Sequence, residues 1–181
     1  MEALIDEDGF RHNIALVLTH ASARVLWAKR RGMDAWQFPQ GGIHPGESLH
    51  DAVYRELWEE VGLESHHVSI LGQTRHWLRY RLPNRSKVRN PEQRCIGQKQ
   101  IWFLLSLTGD ENDIHLARHD EPEFDEWLWV NYWYPVNHVI EFKRNVYRRA
   151  LHQLRPIFFE HFSIADETQS TLVSQQGAPL C

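Results

Sequence analysis

The 181 residues carry 20 Lys and Arg against 24 Asp and Glu, a formal net charge of -4, and 42% of them are hydrophobic. That length and balance suit one folded domain with a sizeable core, and no apolar run nears the roughly 18–20 residues that a bilayer span requires. Two cysteines, Cys95 and Cys181, cannot build a disulfide framework. The acidic start (Glu2, Asp6, Glu7, Asp8) lacks the basic-then-apolar order of a secretory signal. A cytoplasmic setting with no membrane partner is therefore expected.

Taken in chain order, residues 13–19 and 24–28 read as strands joined by the short turn His20-Ala21-Ser22-Ala23. Trp36-Gln37-Phe38 is a brief extended piece ended by Pro39 and followed by a glycine-rich stretch through Gly46. A helix is predicted over 48–61: Ser48 with Asp51 three positions on resembles a capping box, and Gly62 is a natural C-terminal stop. Strands follow at 68–71 and 74–81, then a polar loop over 83–94 and a strong strand over 99–107. Residues 109–121 are loop-like, and 127–130 form a short strand. A second helix is expected over 139–162, with Phe142, Val146, Ala150 and Leu154 four apart and Pro156 placed to kink or split it. The tail 163–181 is polar and expected to be disordered. Strands interleaved with two separated helices predict an α/β fold, a mixed sheet sandwiched between helices.

Charge is unevenly spread. From Arg75 to Lys99 there are eight basic residues (Arg75, Arg79, Arg81, Arg85, Lys87, Arg89, Arg94, Lys99) against one acid, Glu92. Such a window is either a solvated loop or a place where an anionic partner is held.

The chemistry concentrates in GGIHPGESLHDAVYRELWEEVGL, residues 41–63. Glu56 lies three and four positions before Glu59 and Glu60, so all three carboxylates meet on the helix, each like-charge pair costing roughly 0.2–0.5 kcal/mol. With ~100° per residue and Leu49 at zero, Ala52, Val53, Leu57 and Val61 span about -60° to +120°. Glu56 falls near -20°, Glu60 near +20° and Glu59 at the edge near -80°. Two carboxylates thus point into the protein, which a merely solvated acidic face does not explain. Oxygen ligands without Cys or clustered His suit magnesium or manganese rather than zinc, and that combination points to hydrolysis of a phosphoanhydride. Gly41 and Gly42 let the backbone approach a metal or phosphate closely. Asp51 and Arg55 take the solvent side of the wheel, which favours an ion pair of Arg55 with Glu47 over a phosphate-binding role. The histidines show no ligand spacing; His66, His67 and His119 read as surface residues, and Cys95 as a packed cysteine at a strand edge.

This stretch resembles the Nudix box: Gly41, Glu47, Arg55, Glu56, Leu57, Glu59, Glu60, Gly62 and Leu63 occupy its constrained positions at its spacing. The resemblance implies a Nudix-type α/β/α sandwich over residues 3–162. It implies metal-binding, catalytic carboxylates at Glu56, Glu60 and Glu59, the first able to act as base, with the backbone of Gly41 beside the metal. Glu47, Arg55 and Gly62 become structural members of the box. Flanking segments such as WQFPQGG, CIGQKQIWFLL and PEFDEWLWVNYWYPV are similar to the branch of the family that trims 5′-triphosphate RNA ends, related to members that hydrolyse dinucleoside polyphosphates. By position in PEFDEW, Glu123 matches a further acidic metal ligand. The same resemblance puts Arg11, Arg30, Ile140, Phe142 and Lys143 along the path of an RNA 5′ end, with Phe142 stacking a base and Lys143 attracting phosphate; on periodicity alone Phe142 reads as core of the second helix. A catalytically silent nucleotide- or RNA-binding module on the same fold is the alternative of a different class.

Overall fold

A computed structural model describes residues 4–83, 95–118 and 121–163. Eight strands form one mixed sheet: β1 (Phe10–His20), β2 (Arg24–Arg30), β3 (Trp36–Gln37), β4 (Gln40–Gly42), β5 (Val68–Gln73), β6 (Leu78–Arg81), β7 (Gly97–Leu107) and β8 (Phe124–Asn131). Three helices accompany them: α1 (Leu49–Val61), α2 (Tyr134–His138) and α3 (Arg144–His161). The central order is β3-β2-β1-β7-β5, with β4 on β1, β6 on β7 and β8 on β2. β1 and β7 run parallel from Phe10↔Gly97 to Thr19↔Ser106, and the other pairings are antiparallel.

Period-two alternation divides the core into two layers. Ile14, Leu16 and Leu18 of β1, with Ile101, Phe103 and Leu105 of β7, pack against Ala52, Val53, Leu57 and Val61 of α1. The intervening Ala15, Val17, Trp102 and Leu104 face Val146, Tyr147, Ala150, Leu151 and Leu154 of α3. One helix therefore covers each face, giving the α/β/α sandwich. Among the described residues no helix is long and apolar enough to cross a membrane.

Several boundaries differ from the sequence reading. The second long helix starts at Arg144 rather than Val139, because Ile140 adopts φ -51 and ψ 139 and Glu141–Lys143 form a separate 3-10 turn. The short helix α2 was not foreseen, although Pro135 at its first turn is a recognised helix start. Pro156 lies inside α3 without splitting it. β6 spans only Leu78–Arg81; Thr74 still bonds β7, its amide donating to the Trp102 carbonyl at 2.9 Å and its Oγ1 accepting the Trp102 amide at 3.1 Å, and the chain bends before Leu78. β8 reaches back to Phe124 through an irregular register between Lys29 and Arg30. Residues 84–94, His119 and residues 164–181, on which the loop, surface-histidine and tail expectations fall, lie outside the described residues.

Candidate active site

Ser48 starts α1: its Oγ accepts the Asp51 amide at 3.1 Å and donates to Asp51 Oδ2 at 2.7 Å. Gly62 ends the helix in the left-handed region at φ 74, where a Cβ would also overlap the His115 carbonyl. Helix length and phase thus deliver three glutamates to one end of the sheet. Glu56 and Glu60 are 6% and 2% exposed, so both turn inward, whereas Glu59 is half-buried at the margin.

Arg55 organises them. Its Nε donates to Glu47 Oε1 at 2.7 Å and its Nη2 to Glu47 Oε2 at 2.8 Å and the Gly42 carbonyl at 2.7 Å. Its Nη1 donates to Glu56 Oε1 at 2.6 Å and Glu59 Oε2 at 3.0 Å. The helical wheel put Arg55 toward solvent; the side chain instead folds back along the helix, because a long stem lets the guanidinium reach groups its Cα does not face. Glu47 also accepts the His44 amide at 2.9 Å, which closes the loop before α1. The Arg55 guanidinium holds the Glu47 carboxyl below the usual range.

The remaining carboxylates are less compensated. Burial pushes the Glu56 carboxyl upward against the pull of Arg55, and Glu59 and Glu123 add repulsion. Glu60 is raised well above the usual range, first by burial and then by Glu123 and Glu56, despite the Gln40 amide that donates to its Oε2 at 2.6 Å. Its Oε1 is buried without a hydrogen-bond partner. A Cβ on Gly41 would overlap the Glu56 carboxylate, so glycine is what permits β4 to pass this close.

Among the described residues no three His, Cys, Asp or Glu side chains converge as a ready-made ligand set; Arg55 pairs with both Glu56 and Glu59. The donor chemistry nonetheless fits a hard divalent cation: crowded carboxylates, an orphaned buried Glu60 oxygen, and no Cys or Met among the described residues lining the cleft.

A cleft of about 420 Å³ opens above these groups. Gly41, Arg55, Glu56, Glu59 and the exposed Glu123 line it together with Arg11, Arg30, Phe142 and Lys143. Glu60 lies beneath, Glu47 stands behind Arg55, and Gly62 is at the far end of α1. Gly42 leaves space that the Arg11 guanidinium fills. Phe142, read from periodicity as helix core, sits on the 3-10 turn before α3, half-buried with its ring centroid 5.8 Å from that of Tyr80.

Two placements add to the sequence reading. Lys143 lines the cleft but is buried, 7% exposed, and its Nζ donates to Gln37 Oε1 at 2.8 Å. Burial, helped by Arg30, pulls its ammonium down to about 8. Ile140 is 53% exposed and lines a neighbouring hollow with Trp36, Tyr134 and His138 rather than this cleft.

The sequence reading missed a polar network on the cleft wall. Tyr80 donates to Gln98 Oε1 at 2.6 Å, Gln40 Nε2 donates to the same oxygen at 3.2 Å, and Gln100 Nε2 donates to Gln40 Oε1 at 3.1 Å. The signal was present: Gln98 and Gln100 flank Lys99 at the start of a strand that then turns apolar, and Gln100 is fully buried.

Fold and site together define a class. The family model for the NUDIX domain matches residues 9–154; the chain belongs to the Nudix family and is a Nudix hydrolase. Members of that family generally use divalent metal ions. Among its relatives, the RNA pyrophosphohydrolase of Xanthomonas oryzae pv. oryzae (strain MAFF 311018) is 56% identical over 154 residues, 85% of this chain and 75% of that protein. The RNA pyrophosphohydrolase of Pseudomonas syringae pv. tomato (strain ATCC BAA-871 / DC3000) is 57% identical over 153 residues, 84% of this chain and 96% of that protein. Two solved structures share the fold at low identity. A C. elegans Ap4A hydrolase binary complex gives a TM-score of 0.56 at 18% identity, covering 76% of this chain and 93% of that one. The E. coli dihydroneopterin triphosphate pyrophosphohydrolase gives 0.57 at 20%, covering 76% and 92%.

Proposed function

We propose that this Nudix hydrolase converts the 5′-triphosphate end of RNA to a 5′-monophosphate, a cytoplasmic step that exposes a transcript to decay. The observation that carries the reading is one cleft lined together by carboxylates, cations and a half-buried aromatic ring. The substrate named for the relatives at 56% and 57% identity supports it.

Glu56, Glu59, Glu60 and Glu123, with the backbone of Gly41, would hold the divalent cation, magnesium first and manganese as a substitute. When bound, the cation neutralises phosphate charge and acidifies a water for attack on phosphorus. Arg55 occupies Glu56 Oε1, which leaves Oε2 as the atom that takes the proton from the attacking water. Arg11, Arg30 and Lys143, which line the same cleft, bind the anionic phosphates. Phe142 offers its ring to a nucleobase, as single-stranded RNA recognition requires.

A side-by-side turnover assay with magnesium tests this, comparing a short 5′-triphosphate RNA, diadenosine tetraphosphate and a nucleoside triphosphate, with Glu56→Gln as control. Preferred conversion of the RNA to a 5′-monophosphate, lost in the variant, is the expected result. Preference for the dinucleotide would keep the hydrolytic centre and remove RNA as principal substrate; no turnover of any would leave a binding module.

A further inference from the structure

The basic window of the sequence is not absorbed by the cleft, and the described part of it leads to a second anionic site. β6 alternates, with Leu78 and Tyr80 buried and Arg79 and Arg81 exposed. Arg149, exposed on α3, reaches the same hollow of about 390 Å³ that Arg79 and Arg81 line, together with Phe10 and one acid, Asp8. The Arg79 guanidinium lies over the Phe10 ring, 5.4 Å from its centroid, an arrangement that restrains its plane. Among the described residues none of these three arginines forms an ion pair. Three guanidinium groups and one carboxylate line this hollow, a net positive lining, and the planar fork of arginine matches phosphate oxygens.

The hollow adjoins the cleft. Tyr80 borders both, its ring carries Phe142 on the cleft side, and Lys143 Nζ stands 5.6 Å from its centroid. Arg79 and Arg81 are its immediate chain neighbours, one residue or about 3.8 Å of backbone away on either side.

We propose that Arg79, Arg81 and Arg149 form a phosphate subsite for the RNA backbone as it leaves the cleft, engaged by an RNA chain and out of use with a dinucleotide. The proposal rests on the RNA reading above. It explains why cations drawn from a strand and a helix far apart in sequence converge beside a site for a polyanion.

The test compares wild type with the triple variant R79Q/R81Q/R149Q on a 5′-triphosphate decamer RNA and on diadenosine tetraphosphate, from about 50 to 200 mM salt. The expected result is a fall of about tenfold or more in kcat/KM for the decamer at low salt, mostly through KM. The slope of log kcat/KM against log salt should become shallower by roughly 0.7 for each phosphate that is no longer neutralised. Dinucleotide turnover should be unchanged, which also reports that the variant folds, and the corresponding triple lysine variant should recover most of the salt slope. Equal losses on both substrates, or RNA kinetics that do not change, overturn the subsite; in the second case the arginines serve another anion, such as an acidic protein surface. If the wild type cleaves the dinucleotide but not the decamer, the RNA reading itself has failed and the subsite falls with it.

Discussion

Glu60 Oε2 accepts a 2.6 Å hydrogen bond from the backbone amide of Gln40, while Oε1 of the same carboxylate is buried with no partner. One oxygen is tied to the start of β4 and the other is left as uncompensated charge. The folded state therefore keeps a proton on Glu60 above the ordinary value of 4.5. Above 4.5 the unfolded chain has released that proton and the folded chain has not, so stability at this site falls as pH rises through the interval up to the raised folded value. Thermal melts of the chelator-treated protein should show it, and Glu60→Gln should flatten the pH dependence and raise Tm on the alkaline side. Added magnesium should raise the wild-type Tm more at alkaline than at acidic pH. A Tm indifferent to both would rule out a buried charge relieved by a cation.

Glu56→Gln keeps the shape of the side chain but gives up its basicity. Turnover should fall about 10²–10⁴-fold, the range for loss of a general base, with Tm kept or raised because a repelled buried charge is gone. A variant retaining wild-type kcat would assign the proton transfer elsewhere.

Gly41→Ala introduces a Cβ where the Glu56 carboxylate now lies. The carboxylate must move, and a displacement near 1 Å in a reacting group costs on the order of 10²-fold in rate. Steady-state kinetics beside a circular dichroism spectrum that matches wild type would separate this from unfolding.

Lys143 titrates at about 8 rather than 10.5 when folded without ligand. The penalty for its charge is full below about pH 8 and is relieved as pH rises toward 10.5. A bound polyphosphate favours the charged form, so affinity is strongest below about pH 8 and weakens above it, up to about tenfold per pH unit. KM for RNA should rise above about pH 8 in the wild type, while Lys143→Gln should start with a higher KM and show little of this dependence. Parallel profiles for the two proteins would contradict the assignment.

Tyr147 accepts the Phe38 amide at its hydroxyl, 3.1 Å away in the core. Tyr147→Phe orphans that buried N–H and should cost about 1–3 kcal/mol, a Tm drop of roughly 2–4 °C per kcal/mol at this chain length. Chemical denaturation checks the figure. Because Phe38 leads into β4, KM should shift only slightly if the strand holds its place.

Much of the site was legible because its logic is local. The spacing of Glu56, Glu59 and Glu60 places them together on any helix, and the apolar phase of α1 turns two of them inward whatever the sheet beneath. Ser48 and Gly62 bound that helix through contacts of a few residues. Arg55 shows where a wheel stops helping: it assigns a direction to Cα, while a long side chain chooses its partners in space. Phe142 and Lys143 continue the four-residue spacing of α3 on paper, yet the extended backbone at Ile140 sets them on a separate turn facing the cleft.

By itself, the sequence determined the inward face of the first helix, most of the strand positions, and the Nudix box with its carboxylates. These follow from interactions between residues within a few positions of one another. Tertiary structure decided which cations share the cleft with those carboxylates, that Lys143 is buried against Gln37, that Gln40 pins Glu60, and that Arg149 lines one hollow with Arg79 and Arg81. Those relationships join residues from distant parts of the chain, and they exist only once the sheet has brought those elements side by side, where burial sets the charge each group can carry.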